Sequence, residues 1–295
     1  MKDQVEANVP LALLTAYQVG GPAQWFIQPS RYESLAESLA WARDSQLPIT
    51  VIGAGTNLLI SDQGIAGLVV HLRSWRGIEI LDEGLLEVRA GESIAALSWL
   101  VARKGWAGLE WAVGVPGSVG GAVVMNAGAH GAQMADNLIS VEVLTETGER
   151  LTLTAEQLQF SYRHSLLQER PWIVLSARIQ LETGKDPATL TQTLNAFNDY
   201  RHRTQPSGFP NCGSVFRNPK EGHRAGWLIE QCGLKGYQVG AAQVAEKHAN
   251  FILNLGGATA ADILILMERM RSQVYDRWGI SLEPEVRMFG HQILI

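Results

Sequence analysis

Two glycine-rich segments, each following an apolar stretch, carry the first chemical signal in this sequence. The first segment reads Gly53, Ala54, Gly55, Thr56, Asn57, Leu58 and Leu59. It lacks a third glycine at position 58 and also lacks a Gly-Lys-Ser/Thr ending, so it matches neither the dinucleotide fingerprint nor the P-loop. Its backbone can still bend close to a diphosphate, with Thr56 and Asn57 as side-chain donors. The alternative is a purely structural turn after a strand.

The second segment runs from Val113 to Ala122 and is followed by the stretch from Asn126 to Ala129. Ser118 is expected to cap a short helix whose free N–H groups would face a phosphate. The adjacent Gly120 and Gly121 permit very close approach of a flat ligand or of another backbone segment. A structural turn explains either segment taken singly, but their joint presence favours a ligand site.

Together the two segments resemble the FAD-binding domain of the p-cresol methylhydroxylase type. Five further segments resemble UDP-N-acetylenolpyruvoylglucosamine reductases, and they follow in the expected order over nearly the whole chain: Asn8–Leu11, Val19–Ala23, Tyr162–Ser165, Cys212–Phe216 and Leu282–Arg287. The resemblance implies non-covalent FAD that is reduced by NADPH. It also implies that flavin N5 passes hydride to the enolpyruvyl ether of UDP-N-acetylglucosamine enolpyruvate. The product would be the lactyl ether UDP-N-acetylmuramate, a precursor of peptidoglycan and hence of the cell wall.

The resemblance also assigns three catalytic residues. Ser214 matches the proton-donor serine, which can serve if the carbon it protonates is strongly basic and within hydrogen-bond reach. Arg163 matches the arginine at the substrate carboxylate, where a planar guanidinium can form two parallel hydrogen bonds. Glu285, directly before Val-Arg, matches the catalytic glutamate better than Glu283 does. It could hold a water, orient Arg163 or act as an acid, and the sequence leaves these roles open.

Without the motif context, each of these residues has an ordinary structural explanation. A serine commonly bonds its own loop backbone. An arginine usually forms a surface ion pair, and a glutamate at the end of a strand is usually solvated.

The remaining site predictions concern binding. For the cofactor they are Gly53, Ala54, Gly55, Thr56, Asn57, Leu58, Val115, Pro116, Gly117, Ser118, Gly120, Gly121, Asn126, Gly128 and Arg287. Arg287 would share a strand face with Glu285 and approach the pyrimidine edge of the flavin. For the substrate the predictions are Tyr162, Arg217, Asn218, Lys247, His248 and Asn250. His248 is equally compatible with a satisfied surface position. We expect no metal, because the other histidines show no metal-ligand spacing.

The sequence departs from part of the family in two places. Between Trp172 and Phe197 there is no room for the tyrosine-bearing loop that closes over the substrate in one form of these enzymes, so the chain resembles the shorter, type II form. Gln205 stands near the position where some members carry a substrate-binding lysine, so the contacts that the lysine makes with the substrate diphosphate are not predicted here.

The elements that must position these residues give an α+β chain. Predicted helices run from the Ser30–Glu33 capping box to Ser45, from a Ser93 cap to Lys104, and over Pro187–Arg201, Arg224–Cys232 and Thr259–Trp278. Predicted strands cover Ala23–Gln28, Ile49–Ile52, Leu68–Leu72, Ile78–Leu81, Leu85–Val88, Ser140–Thr145, Leu151–Thr154, Trp172–Leu181, Gly213–Phe216, Asn250–Leu255 and Glu285–Phe289. Residues 146–149, which include Gly148, indicate a hairpin between two of these strands. We expect residues 1–203 to form the FAD-binding domain, with two subdomains split near residue 65. Residues 204–295 should form a smaller α+β substrate domain.

Composition limits the protein class. The 295 residues are 46% hydrophobic and 18% charged, with a net charge of −5, which argues against a nucleic-acid binder. The uncharged stretch Trp111–Ala135 is too rich in glycine and polar residues for a membrane span. The N-terminal region has Asp3 and Glu6 where a signal peptide would need basic and apolar residues, and the two cysteines are expected to be reduced. We therefore expect a cytoplasmic monomer or weak oligomer without membrane contact.

Two rival functions remain open at this stage. One is an FAD-dependent oxidase or dehydrogenase of a hydroxy acid or sugar. Such enzymes usually have a larger substrate domain and often attach flavin through a histidine, which neither glycine segment contains. The other is a non-catalytic protein that binds nucleotide sugars, although Ser214 and Glu285 would be expected to be lost in such a relative.

Overall fold

The structure is a computed structural model that describes residues 5–290. Its fold is α+β, as predicted, with sixteen strands and six α-helices in the described part of the chain. In chain order they are β1 (Glu6–Pro10), β2 (Pro22–Ile27), α1 (Tyr32–Asp44), β3 (Ile49–Ile52), β4 (Leu58–Ile60), β5 (Ile65–His71), β6 (Ile78–Asp82), β7 (Leu85–Arg89), α2 (Ile94–Arg103), α3 (Val119–Val124), β8 (Gly128–Ala129), β9 (Ala132–Gln133), β10 (Leu138–Leu144), β11 (Arg150–Thr154), β12 (Ile173–Gln180), α4 (Pro187–Thr204), α5 (Ala225–Gln231), β13 (Gln238–Val239), β14 (Ala242–Val244), β15 (Ile252–Asn254), α6 (Ala260–Trp278) and β16 (Arg287–Phe289).

The chain packs into two compact units. Of the described residues, the first unit comprises 5–6, 26–54 and 67–201, and the second comprises 7–25, 55–66 and 202–290. The change near Arg201 lies close to the expected division at residues 203 and 204. The packing also assigns two earlier segments to the second unit.

An antiparallel sheet organises the first unit. Its five strands lie in the order β11-β10-β12-β7-β6. In β12 the first five residues, Ile173–Ala177, are all buried, which is typical of a central strand packed on both faces. Strand β3 pairs in parallel with β5, placing Ile52 opposite His71. A smaller apolar cluster joins Ala102 and Val113 with Leu190 and Leu194.

Helix caps and a hairpin in the first unit agree with the local sequence pattern. The Ser93 side chain accepts the N–H of Ala96 and begins α2 as predicted, and the helix ends with Lys104 at its C-cap. Ser118 likewise begins α3 by accepting the N–H of Gly121. The hairpin predicted around residues 146–149 is confirmed by the antiparallel pairing of β10 with β11.

The second unit is built around one large apolar core. Helices α5 and α6 pack with β14, β15 and the segment that follows Cys212, and residues such as Tyr17 and Phe216 are fully buried there. Helix α6 starts with the capping box of Thr259 and Asp262 and ends at Gly279, which adopts φ 66°. The parallel pairing of β4 with β16 explains why Gly55–Ala66 belongs to this unit.

Three predictions about elements were wrong. Helix α1 has Arg31, not Ser30, at its N-cap and shows no side-chain cap, so the expected capping box does not form. The expected strand over Gly213–Phe216 is reduced to a single bridge between Phe216 and Pro284. The last strand begins at Arg287, so Glu285 precedes it and the expected shared strand face does not exist.

Candidate active site

Within the first unit, Gly53, the first residue of the first glycine segment, lies next to Ser118 of the second segment. A Cβ on Gly53, at the end of β3, would lie 2.5 Å from the Ser118 hydroxyl. Only a residue without a side chain permits this approach of the first segment to the cap of α3. The joint role of the two segments in binding stays a prediction.

The expected free N–H groups at the start of α3 are not free. Val119 donates its N–H to the Glu92 carbonyl at 2.8 Å, and Gly120 donates to the Ala90 carbonyl at 2.9 Å. The Gly121 N–H is used by the Ser118 cap. This corrects the sequence-based expectation, because the first residues of the short helix also bond to the segment that follows β7.

The glycines serve different purposes. Gly55 adopts φ 70°, and a Cβ there would overlap the Leu14 carbonyl oxygen, so this glycine is required by packing inside the second unit. A Cβ on Gly120 would come within 2.8 Å of Ala90. Gly121 is different, because it is exposed and a Cβ there would contact only the Ser118 hydroxyl, at 3.4 Å. Its open face fits the close approach of a flat cofactor.

Asn126 is fully buried with φ 41°, a conformation that asparagine tolerates better than most residues. Its Nδ2 donates to Gln133 Oε1 and to the Ser161 carbonyl, and its Oδ1 accepts the Ala135 N–H. The side chain therefore fastens the second glycine segment to the Arg163 turn.

Arg163 lies in a tight turn in which Ser161 and His164 exchange two backbone hydrogen bonds. It adopts φ 56°, which is uncommon for a residue other than glycine and costs of order 1–2 kcal/mol. Its Nη2 donates to the Gly128 carbonyl at 2.6 Å, and its own carbonyl accepts Gln168 Nε2 at 2.9 Å. The backbone and the guanidinium are thus both held in place, as a residue that must orient a substrate requires.

One further predicted residue, Tyr162, and one that was not predicted, Gln168, bond to or pack against Arg163. The Arg163 guanidinium lies over the exposed ring of Tyr162, with its central carbon 5.0 Å from the ring centroid. Gln168 was missed by the sequence analysis. Its side-chain amide donates to the carbonyls of both Arg163 and Val124, and no local sequence pattern predicts such a role.

Ser214 lies half-buried in a turn of the second unit, after Gly213, which adopts φ 77°. The next residue, Val215, donates its N–H to the Asn250 carbonyl and accepts the N–H of Glu285 at 2.8 Å. The segment that carries the proposed proton donor is therefore bonded directly to the segment that carries the proposed glutamate. Arg163 belongs to the other unit.

The first glycine segment joins the same framework through Asn57. Its Nδ2 donates to the Glu285 carbonyl at 3.0 Å, and its carbonyl accepts the Arg287 N–H at 3.0 Å. Cys212 adds a further link by directing its thiol at the Leu58 carbonyl. Three predicted site segments of the second unit, far apart in the sequence, are thereby connected.

Two predicted arginines form a cationic pair in the second unit. Burial, and then the charge of nearby Arg217, lower the pKa of the Arg287 guanidinium. Among the described residues, Nε of Arg217 is buried without a hydrogen-bond partner, and the contact of Arg217 with exposed Glu283 is long, at 3.9 Å. A pair of like charges with an unsatisfied N–H fits an anionic group, such as a diphosphate or the flavin pyrimidine edge.

A third cation was missed by the sequence analysis. Arg201 is half-buried, burial lowers the pKa of its guanidinium, and a Cβ on Gly114 would lie 2.7 Å from its Cδ. A cation against the start of the second glycine segment fits the FAD diphosphate. In the sequence it reads as an ordinary arginine near the end of a helix.

The other predicted substrate residues have partners inside the second unit. Asn218 caps α5 by accepting the Ala225 N–H, and Lys247 donates to the His202 carbonyl at 2.6 Å. His248 Nδ1 accepts the Asn250 N–H at 3.2 Å, and burial is the main reason that its pKa is lowered. Both amide atoms of Asn250 bond to Phe216.

Two surveys of the described residues bear on function. Over residues 5–290 no group of histidine, cysteine, aspartate and glutamate could hold a metal ion. Within the same range, no helix combines the length and apolar character needed to cross a membrane. Both cysteines are free thiols.

Comparison with known proteins accounts for most of the chain. Residues 23–154 match the model of an FAD binding domain, and residues 205–289 match the C-terminal domain of UDP-N-acetylenolpyruvoylglucosamine reductase. The reductase of Gloeobacter violaceus is 69% identical over 98% of both chains, and that of Nostoc punctiforme is 53% identical over 97% of this chain and 86% of its own. The crystal structure of the Thermus caldophilus reductase is 34% identical and covers 97% of this chain and 99% of its own, with a TM-score of 0.84. The chain belongs to the UDP-N-acetylenolpyruvoylglucosamine reductase family.

Proposed function

We propose that this protein reduces the enolpyruvyl ether of UDP-N-acetylglucosamine enolpyruvate to UDP-N-acetylmuramate, with NADPH as reductant. Bound FAD, held without a covalent bond, would supply the redox chemistry that transfers hydride from NADPH to the enolpyruvyl group. For the cofactor we propose the predicted residues of the glycine segments, with Arg201 as a candidate cation in the first unit and Arg287 in the second. Both nucleotides are water-soluble, and we place the reaction in the cytoplasm.

Arg163 binds the carboxylate of the enolpyruvyl group. Reduction pushes negative charge into that carboxylate, and a guanidinium that meets it with two parallel N–H groups stabilises this charge as it develops. The turn that bears Arg163 is preorganised by its bonds to Gly128 and Gln168, so little reorganisation accompanies the reaction.

Ser214 delivers a proton to the carbon next to the carboxylate. A hydroxyl is a weak acid, so it must lie within hydrogen-bond reach of a carbon that has become strongly basic. The bonds that Val215 makes on both sides fix the backbone at this position. The N–H of Glu285 donates one of those bonds. Glu285 is the catalytic glutamate, and its carboxyl group holds a water or the acidic proton near the same carbon.

The substrate nucleotide is bound by the second unit. Arg217 provides positive charge for phosphate groups, and Asn218, Lys247 and His248 lie on segments of the same unit. The protein has the short connection between β12 and α4 that is typical of the shorter form of the family.

The observation that carries the proposal is the network in which Val215, Glu285 and Asn57 connect the proton-donor turn, the glutamate and the glycine segment. A test is to run the reaction in D₂O with NADPH and to analyse the product by mass spectrometry and NMR. Since the proton comes from solvent, whereas the hydride passes from NADPH through flavin N5, whose N–H can exchange with solvent, we expect one deuterium at the carbon next to the carboxylate. A flavin oxidase would give no lactyl ether, and a product without deuterium at the carbon next to the carboxylate would contradict the assigned site of protonation.

A further inference from the structure

Asn250 makes an unusual set of hydrogen bonds next to the proton-donor turn. Its side chain is buried, its Oδ1 accepts the Phe216 N–H at 3.0 Å, and its Nδ2 donates to the Phe216 carbonyl at 2.8 Å. Its main-chain carbonyl accepts the Val215 N–H at 2.9 Å. One asparagine thus holds both residues that follow Ser214, across 34 positions of the sequence.

This geometry compensates for the missing strand. Residues 213–216 form no regular ladder, and their single bridge is the one between Phe216 and Pro284. In an isolated extended segment the backbone groups would otherwise be buried without partners, which costs about 1–3 kcal/mol for each group. The amide of Asn250 takes the place of a neighbouring strand on one side of the turn, while the segment of Glu285 bonds to the other side.

Asn250 is in turn held by its neighbour. Its N–H donates to His248 Nδ1, and the His248 ring packs edge-on against Phe251 at 4.9 Å between centroids. Gly226 leaves room for this ring, since a Cβ there would come within 2.8 Å of it. Burial is the main reason that the pKa of the His248 imidazole is lowered; the charge of Lys235 lowers this pKa further, and the charge of Glu230 raises it.

We propose that Asn250 is a positioning residue, whose side-chain amide fixes the Phe216 backbone and thereby aims the Ser214 hydroxyl at the carbon to be protonated. This replaces the sequence-based expectation that Asn250 contacts the substrate, because the amide is occupied by the backbone. The inference rests on the proposed function, in which Ser214 donates the proton.

The test uses Asn250→Asp and follows the two half-reactions separately by anaerobic stopped-flow absorbance. An ionised carboxylate still accepts the Phe216 N–H but cannot donate to the Phe216 carbonyl. At pH 8 we expect flavin re-oxidation by the enolpyruvyl substrate to slow about 100-fold, the typical effect of a small misplacement of a catalytic group. Reduction of the flavin by NADPH should keep its wild-type rate, because that half-reaction does not use Ser214.

The pH dependence distinguishes positioning from a general loss of structure. A protonated carboxyl both donates and accepts, as the amide does, so re-oxidation by Asn250→Asp should recover as the pH is lowered. The wild-type protein should show no such gain on the acid side. The titratable and charged groups around the turn and residue 250 are the same in both proteins: Arg217, Glu283, Glu285, and His248 with Lys235 and Glu230 near it.

Asn254→Asp is the matched control. Asn254 is also a buried asparagine of the second unit, and its Nδ2 donates to the Tyr17 carbonyl while its Oδ1 accepts the N–H groups of Gly256 and Ala258. The same substitution therefore removes a comparable buried bond, but one to the Tyr17 carbonyl and not to the residues that follow Ser214. We expect it to lower the melting temperature without changing the ratio of the two half-reaction rates.

Four results would overturn the inference. One is wild-type re-oxidation by Asn250→Asp at pH 8, and another is an equal slowing of both half-reactions. The third is a further 100-fold loss in the rate of flavin re-oxidation when Asn250→Asp is added to Ser214→Ala. A residue that acts only by positioning Ser214 should have little effect once the Ser214 hydroxyl is absent. If both Asn250→Asp and Asn250→Ser lose FAD while Asn254→Asp keeps it, Asn250 acts on the fold, and the inference is also wrong. Failure of the wild-type protein to be re-oxidised by this substrate would instead contradict the proposed function.

Discussion

At the scale of single residues, Arg163 combines an uncommon backbone conformation with a fixed side chain. The turn from Ser161 to His164 holds its φ at 56°, and the Gly128 carbonyl holds one end of the guanidinium. Backbone conformations of this kind persist where the surrounding structure enforces them, often at functional sites. This supports the role that the sequence assigns to Arg163.

Arg163→Lys keeps the charge but removes the planar fork that can bind a carboxylate through two parallel bonds. We expect kcat for the enolpyruvyl substrate to fall about 100-fold, while reduction of the flavin by NADPH is unchanged. Steady-state kinetics and anaerobic reduction by NADPH check this outcome. Arg170→Lys, at an exposed arginine near the same turn, should retain wild-type kinetics; equal losses in the two variants would show that the site does not need the fork at Arg163.

Cys212 gives a prediction that depends on pH. Burial raises the pKa of its thiol to about 12, against an ordinary value of 9.0, so the thiol stays protonated in the folded protein up to strongly alkaline pH. Because the thiolate is the reactive form, iodoacetamide at pH 8.5 should leave Cys212 unmodified until the protein is unfolded. Peptide mass spectrometry with and without guanidinium measures this, and rapid labelling of the native protein would contradict the packing described for Cys212.

At the scale of elements, the first glycine segment owes one of its glycines to packing. Gly55→Ala places a methyl group on the Leu14 carbonyl in a left-handed backbone conformation. The expected loss in the free energy of unfolding is about 3 kcal/mol, the sum of conformational strain and overpacking. Urea denaturation of the FAD-bound protein measures it.

Gly257→Ala is the control for this comparison. Gly257 lies in the same unit with φ 82°, but a Cβ there meets nothing within 4 Å. The free energy of unfolding of Gly257→Ala should fall only by the conformational strain of the left-handed backbone, about 1–2 kcal/mol. If the two variants lose the same free energy, the contact of Gly55 with Leu14 is not what requires the glycine.

The elements show which features the sequence can reveal. Caps depend on residues three or four positions apart, so Ser93 and Ser118 were recognised from local pattern, as was the hairpin around Gly148. The expected strand at Gly213–Phe216 was wrong because an extended segment becomes a strand only with a partner, and here the partner is one asparagine side chain. The free N–H groups expected at α3 were wrong because residues 90 and 92 accept two of them.

At the scale of the whole molecule, the sequence identified the family and the α+β class through ordered motifs that cover nearly the full chain. It could not show that Gly55–Ala66 packs with the C-terminal residues, because that depends on the pairing of β4 with β16 across more than half of the chain. Arg201 and Gln168 were missed for a similar reason. Their importance lies in contacts with Gly114 and Arg163, which no local spacing encodes.

The central claim is that one protein takes electrons from NADPH and passes them to an enolpyruvyl nucleotide sugar. The most direct measurement is an anaerobic absorbance titration of the FAD-bound protein, first with NADPH and then with UDP-N-acetylglucosamine enolpyruvate. We predict that the oxidised-flavin bands bleach with NADPH and return with the sugar. In Ser214→Ala the bands should bleach normally but return at least about 100-fold more slowly, whereas Ser272→Ala, at an exposed serine of α6, should behave as wild type. Reduced flavin that stays reduced after the sugar is added to the wild-type protein, and recovers only with oxygen, would contradict the claim.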